Sequence, residues 1–339
     1  MKSIKKIAII VPNWNGEESI KECLNSLEIQ DRSIDYHTVV VDNGSIDRSI
    51  DIIEDFKDVI LLKQSRNLGF AGGVNKGIEY AINNAFDYVA LFNNDAVANK
   101  DWLKNLSARI QSNKNIGIVT SKIIDSKNRH LDSTGDYLTI WGLPYPRGRG
   151  EAVSDKYDDS LEIFSGSGGA SIYRIKMFQD IGLFDKSFFA YYEDVDLSFR
   201  AQLAGWKVAY EPSAVVYHQI GATSAKIKGF TTYQAMKNLP MLLWKNVPSR
   251  ILLKMFPRFL LAYASFMVSA YQRKQFRFAL KGLFMAIYLL PFKTFNRYRI
   301  MKNRGVTVDY INSLIVYDLP PSADKLRILR DKLRFLFKY

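Results

Sequence analysis

The sequence predicts an α/β fold, a mixed but mostly parallel sheet flanked by helices, continued into a basic amphipathic helical region. Three observations carry that expectation. Short apolar runs alternate with helically spaced segments through the first 120 residues, and polar residues recur where the runs end. The charge balance also reverses along the chain. Residues 226–339 hold 22 Lys/Arg against 4 Asp/Glu, a net of +18, whereas residues 1–225 hold 25 against 30, a net of −5.

The elements follow in order. Residues 7–11 form a buried strand and 17–27 have helical spacing with Ile20, Cys23, Leu24 and Leu27 on one face. A β-branched run at 38–41 leads through Asp42-Asn43-Gly44-Ser45 into a helix over 49–56. Residues 59–63 are a third strand, followed by a Gly-rich stretch and a helix through Ala81; 88–92 are a fourth strand. Residues 121–165, with Pro144, Pro146 and several glycines, read as loops over a site. A small-residue loop from Ser165 leads into a strand ending at Tyr173, then a helix over 175–181. Residues 194–205 read as a helix stopped by Gly205, and 208–210 and 214–217 as short strands before His218.

Composition narrows the class. A hydrophobic fraction of 47% with 24% charged residues excludes wholesale disorder in a chain of 339 residues. The single cysteine, Cys23, excludes a disulfide framework and fits a reducing compartment. The apolar run at 7–11 is too short for a secretory core, so a cytoplasmic location is expected. The stretches at 251–271 and 276–292 are apolar and aromatic but are broken or flanked by Lys254, Arg258, Arg273, Lys274, Arg277 and Lys281. Helices of this kind lie in a membrane interface, so peripheral association with the anionic inner face of the cell membrane is expected. A helical subdomain with a solvated basic face is the other reading. The expected division is a site-bearing domain over 1–228 and a basic helical region over 229–339.

In open parallel sheets, ligands bind at the carboxyl ends of the strands. Asn13 and Asn15 follow the first run, Asp42 and Asn43 the second, Asn67 the third, and Asn93-Asn94-Asp95 the fourth. A carboxylate at a buried strand end can hold a hard divalent cation. A second acidic cluster, Glu193-Asp194-Val195-Asp196, follows the aromatic run 188–192 and can accept a proton. Together they point to metal-assisted group transfer.

Five segments carry a resemblance: Val11-Pro12-Asn13-Trp14-Asn15-Gly16, Val41-Asp42-Asn43-Gly44-Ser45, Asn67-Leu68-Gly69-Phe70-Ala71-Gly72-Gly73-Val74-Asn75, Leu91-Phe92-Asn93-Asn94-Asp95 and Tyr191-Tyr192-Glu193-Asp194-Val195-Asp196-Leu197. In this order and spacing the chain resembles a glycosyltransferase of family 2 with the Rossmann-like GT-A fold, most like rhamnosyltransferase members, over residues 5–225. The last third carries no matching motif.

The resemblance implies an inverting, metal-dependent hexosyltransferase. It makes Asp95 the ligand of Mg²⁺ or Mn²⁺ against a nucleotide-sugar diphosphate, with Asn93 standing where the family's Asp-x-Asp pattern has its first carboxylate. It implies a nucleotide pocket of Pro12, Asn13, Asn15, Asp42 and Asn43, with Asn67, Gly69, Gly73, Asn93 and Asn94 near the donor, and His218 at the metal or diphosphate. Asp194 is the implied base, with Glu193 and Asp196 as rivals; both aspartates also suit the start of a helix as dipole partners.

The implied donor is dTDP-L-rhamnose, with UDP-hexose or UDP-GlcNAc as the alternative. The expected acceptor, motivated by the basic, aromatic-apolar last third that suits an anionic leaflet, is a polyprenyl-diphosphate-linked glycan in cell-surface polysaccharide synthesis. A non-catalytic membrane-bound scaffold is the rival from another class. Nucleic acid is not an expected partner, because it would leave the acidic site-bearing part unexplained.

Overall fold

The computed structural model describes residues 5–219 and 227–332. The chain divides into two compact units: residues 1–136 with 146–228, and residues 137–145 with 229–339. Residues 137–145, expected with the first part, therefore group with the second.

The first unit is built on strands β1 (Lys6–Asn13), β2 (Asp35–Asp42), β3 (Val59–Lys63), β4 (Tyr88–Phe92), β5 (Ala96–Ala98), β6 (Ile116–Asp125), β7 (Leu131–Ser133), β10 (Ala170–Arg174) and β11 (Lys207–His218). They form one sheet in the order β3-β2-β1-β4-β10-β6-β11-β5, with β7 on β6. Strands β3, β2, β1 and β4 are parallel, as are β6 and β11, while β10 runs antiparallel to both β4 and β6. Alternation along each strand separates two cores. Ile7, Ile9 and Val11 pack with Cys23, Leu27, Trp102 and Leu106 on one face. Ala8 and Ile10 pack with Val74, Ile78, Phe178 and Leu197 on the other. Helices α1 (Ile20–Glu28), α2 (Ser49–Glu54) and α4 (Trp102–Ser112) contribute to the first core. The second takes in α3 (Gly69–Asn83), α5 (Ile175–Ile181) and α6 (Glu193–Ala204).

Two expectations change. The loop expected from residue 121 begins instead as the last half of the ten-residue strand β6. Thr120, Ser121 and Lys122 break its apolar pattern, yet all three are buried. They are satisfied sideways: Thr120 Oγ1 accepts from Ser171 Oγ at 2.8 Å, Ser121 Oγ accepts from Trp102 Nε1 at 2.8 Å, and Lys122 pairs with Asp158. The two short strands before His218 are one strand, β11, whose register on β6 shifts between Glu211 and Val215.

The second unit holds α7 (Phe230–Asn246), α8 (Ser249–Gln272), α9 (Phe276–Lys302), α10 (Val308–Ser313) and α11 (Asp324–Lys332), with a small sheet of β12 (Ile315–Val316), β8 (Asp136–Thr139) and β9 (Pro144–Pro146). Tyr263 of α8 donates to the Met236 carbonyl of α7 at 2.7 Å, and Arg297 of α9 donates to the Trp244 and Val247 carbonyls. Leu253, Phe256 and Leu260 of α8 and Phe284, Tyr288 and Phe292 of α9 stay exposed. Both helices are long and apolar enough to cross a membrane by length and composition alone.

One buried amide staples α3 to the segment that leads into α6. Asn75 donates to the Phe184 carbonyl at 2.8 Å and accepts from the Phe184 N–H at 3.1 Å. Asn75→Ala orphans both backbone groups, so we expect a loss of about 1–3 kcal/mol for each, read from denaturant midpoints at unchanged m-value.

Candidate active site

Parallel pairing brings the strand ends together. The β1–β2 register sets Asn13 directly beside Asp42, and β4 ends next to β1. Asn13 Nδ2 donates to Asp42 Oδ1 at 2.9 Å, and Asn94 Nδ2 donates to Asn13 Oδ1 at 2.8 Å. Asp42 also accepts from Ser45 Oγ at 2.5 Å and from the backbone N–H groups of Gly44 and Ser45 at 3.1 and 3.0 Å. Its carboxylate is 1% exposed, so its visible work is to shape the 42–46 loop. Asn15 joins the same loop, accepting from the Ile46 N–H at 2.9 Å and donating its own N–H to Ser45 Oγ at 2.9 Å. Pro12 lies next to Asn13 on β1, opposite Val41.

The expected glycines approach protein. A Cβ on Gly69, where φ is +72°, would lie 2.5 Å from the Phe189 carbonyl oxygen, and one on Gly73 would lie 2.5 Å from Asn43 Nδ2. Asn67 Oδ1 accepts from the Gly69 N–H at 2.7 Å, and the Phe189 carbonyl accepts from Ala71 N–H at 3.1 Å. The Gly-rich turn is thereby locked to the aromatic turn before α6. There Phe189, Tyr191 and Tyr192 all have left-handed backbone, with φ of 65°, 70° and 69°. Three such non-glycine residues cost energy and persist only where the surroundings over-determine them, a condition that clusters at functional sites.

Asp194 follows that turn in the first turn of α6. The Gly168 N–H donates to its Oδ2 at 2.9 Å and the Val195 N–H to its Oδ1 at 2.8 Å. Glu193 is buried, and Asp196 is fully buried in an ion pair with Arg200 at 3.0 Å. Of the three acids only Asp194 is partly exposed. The neighbouring loop residue Gly169 accepts from the Asn93 N–H at 2.9 Å, so Asp194 and the Asn93–Asp95 tip border one loop.

The short strand β5 pairs antiparallel with the end of β11, setting His218 beside Ala96. His218 Nε2 consequently lies 3.1 Å from Asp95 Oδ1, and 3.4 Å from Asn93 Nδ2. Asp95 Oδ1 is buried and has no aligned hydrogen-bond donor, the situation of an oxygen suited to a cation. Among the described residues no three His, Cys, Asp or Glu side chains are placed to hold a metal ion by themselves, so Asp95 and His218 fit an ion that draws its other oxygens from a ligand or water.

Three residues here were not singled out from the sequence: Asp132, Asp136 and Arg149, all in the stretch read as loop. Asp132 Oδ2 lies 2.9 Å from His218 Nδ1, and its Oδ1 accepts from Arg149 Nη2 at 2.6 Å. Burial works against a charged His218, but its bond to Asp132 and the facing Asp95 carboxylate outweigh that and raise it to about 9. Asp136 is buried, and burial together with the negative charge of Asp194 holds its carboxyl well above the usual range. Asp194 is raised too, chiefly by burial and against its backbone donors. The readable signal was Asp132-Ser133-Thr134-Gly135-Asp136, two carboxylates four residues apart in a turn-rich segment.

The chain is similar to several known proteins. The dTDP-rhamnosyl transferase RfbF of Shigella flexneri is 26% identical over 236 residues, which are 66% of this chain and 76% of that protein. The poly(ribitol-phosphate) β-N-acetylglucosaminyltransferase TarS of Staphylococcus aureus is 36% identical over 107 residues, 31% of this chain but 19% of TarS. Among solved structures, TarS 1–349 in complex with UDP-GlcNAc superposes with a TM-score of 0.55 at 18% identity, covering 94% of this chain and 95% of that one. The mannosyltransferase PcManGT of Pyrobaculum calidifontis, in complex with GDP-Man and Mn²⁺, gives 0.53 at 15% identity, covering 88% of this chain and 86% of that one. These likenesses establish the GT-A fold. Residues 8–182, more than half the chain, match Glycosyl transferase family 2. The chain belongs to that family, and it is a glycosyltransferase.

Proposed function

We propose an inverting, metal-dependent transfer of a sugar from a nucleotide donor to a lipid-linked glycan in cell-surface polysaccharide synthesis. The observation that carries this reading is the arrangement of Asp95, His218 and Asp194 about the Asn93–Gly169 loop contact. Asp95 and His218 would hold Mg²⁺ or Mn²⁺, which when bound neutralises charge on the leaving diphosphate. The loops bearing Pro12, Asn13, Asn15, Asp42 and Asn43 take the nucleotide, and those bearing Asn67, Gly69, Gly73, Asn93 and Asn94 border the donor. Asp194 takes the proton of the acceptor hydroxyl as its oxygen bonds to the anomeric carbon. The bond from that carbon to the diphosphate oxygen breaks, and the diphosphate leaves with the electron pair. One displacement inverts the centre.

dTDP-L-rhamnose is the preferred donor, supported by the likeness to RfbF along 66% of the chain. UDP-GlcNAc is the second reading, supported by the shorter but stronger likeness to TarS. Residues 229–339, with 137–145, are taken as a unit that lies on the inner face of the cell membrane. The exposed apolar stripes of α8 and α9, set among the excess of Lys/Arg, support this.

Asp194→Asn is expected to lower transfer by about 10²–10⁴-fold while donor binding stays within a few-fold of wild type. The assay is product formation from dTDP-rhamnose and UDP-sugars in parallel, with donor affinity by calorimetry. Turnover of UDP-GlcNAc alone would replace the rhamnosyl reading.

Asp136 supplies a pH test. Its folded carboxyl keeps a proton that the unfolded chain has already released, so its presence weakens the fold increasingly as pH rises from the ordinary carboxylate range. Asp136→Asn is therefore expected to raise Tm by more at pH 8 than at pH 5, with about 2–4 °C for each kcal/mol. An equal effect at both values would contradict the burial of a protonated carboxyl.

For the second unit, the full chain should sediment with vesicles rich in anionic lipid and release in high salt. Binding to neither anionic nor zwitterionic vesicles would leave a helical subdomain in its place.

A further inference from the structure

We propose that Asp132 is a positioning residue for the sugar transfer: it holds the His218 ring so that Nε2 faces Asp95 and the donor diphosphate. This rests on the reading of Asp95 and His218 as the cation end of the site. A carboxylate can only accept, so the 2.9 Å contact between Asp132 Oδ2 and His218 Nδ1 requires a proton on Nδ1. The ring's other nitrogen is then the one directed at Asp95 Oδ1, 3.1 Å away. With Nδ1 committed to a donor role, Nε2 is the nitrogen able to present a lone pair to a cation.

Asp132 is itself fixed. Its side chain is 5% exposed, against 54% for Arg149. Arg149 binds it at two points, with Nη2 on Oδ1 at 2.6 Å and Nε on the backbone carbonyl at 3.0 Å. The buried Asp132 carboxylate thus faces the Arg149 guanidinium on one side and the His218 Nδ1–H on the other. The backbone brings the four residues together without local sequence proximity. Asp132 comes from β7, paired with β6, and His218 from β11 on the other side of β6. Asp95 immediately precedes β5, which pairs with β11.

The test uses the full chain with Mn²⁺ and a nucleoside diphosphate, dTDP or UDP. Free Mn²⁺ is measured by electron paramagnetic resonance. Asp95→Asn and His218→Ala should weaken Mn²⁺ binding, and Asp132→Ala should weaken it by about 10–100-fold. Asp132→Asn keeps an oxygen that can accept from Nδ1, and should recover most of that loss. Independently, ¹⁵N spectra of the wild type with Mg²⁺ and nucleotide should show His218 protonated at Nδ1; the chain has only three histidines to assign.

A folded Asp132→Ala protein with wild-type Mn²⁺ affinity, beside weakened Asp95→Asn and His218→Ala, would overturn the role of Asp132 and leave the cation site standing. If Asp132→Ala does not fold, the wild-type ring spectrum decides, and a bare Nδ1 overturns the proposal. If neither Asp95→Asn nor His218→Ala alters Mn²⁺ binding, the cation reading falls and takes this proposal with it.

Discussion

The hydrogen bond from Asn13 to Asp42 is the constraint on which the site depends. It joins the ends of two parallel strands whose backbone polar groups would otherwise diverge into loops, and Asn94 extends it to a third strand. Asp42 is a buried carboxylate with four protein donors, which is how such a charge survives away from water. Removing any one donor would leave part of a buried charge unsolvated, so the loops after β1 and β2 are set by one electrostatic requirement. Asp95 inherits its place from that arrangement, because it follows Asn94 by one residue.

The site's charges are managed by two different devices. At the Asp95 end, Arg149 and the His218 ring alternate with the carboxylates of Asp132 and Asp95, so close approach is favourable and the proton affinity of His218 is raised. At the Asp194 end, burial outweighs the pull of Arg149 on Asp136 and of the backbone donors on Asp194, and both carboxyls are raised. Neighbouring acids in different surroundings thus have different proton affinities. A carboxyl whose proton affinity is raised suits a base, while a carboxylate held ionised by cationic partners suits ion binding.

The two halves of the site are held together by backbone packing. The Gly69 turn and the Phe189 carbonyl meet so closely that a side chain on residue 69 would collide. The left-handed run through Phe189, Tyr191 and Tyr192 is the local cost of delivering Asp194 to the rim, and the Ala71–Phe189 and Asn75–Phe184 bonds hold it. The Gly-rich motif therefore acts on the site through the aromatic turn it grips.

The strand and helix alternation through Phe92 and the helices at 175–181 and 194–205 were legible because apolar spacing alone sets which face is buried. The strand-end positions of Asn13, Asp42, Asn93 and Asp95 were legible for the same reason. Strand β6 was not, because Thr120, Ser121 and Lys122 are polar and their partners Ser171, Trp102 and Asp158 lie far along the chain. Asp194, Glu193 and Asp196 were indistinguishable in sequence; burial and the Arg200 ion pair separated them. The sequence by itself determined the first four strands, the charge division and the family motifs, since those depend on local periodicity and composition. Only the tertiary structure decided that Asp132, His218 and Asp95 meet, because that contact depends on β7 and β11 flanking β6 and on β5 pairing with β11, across up to 123 residues of chain.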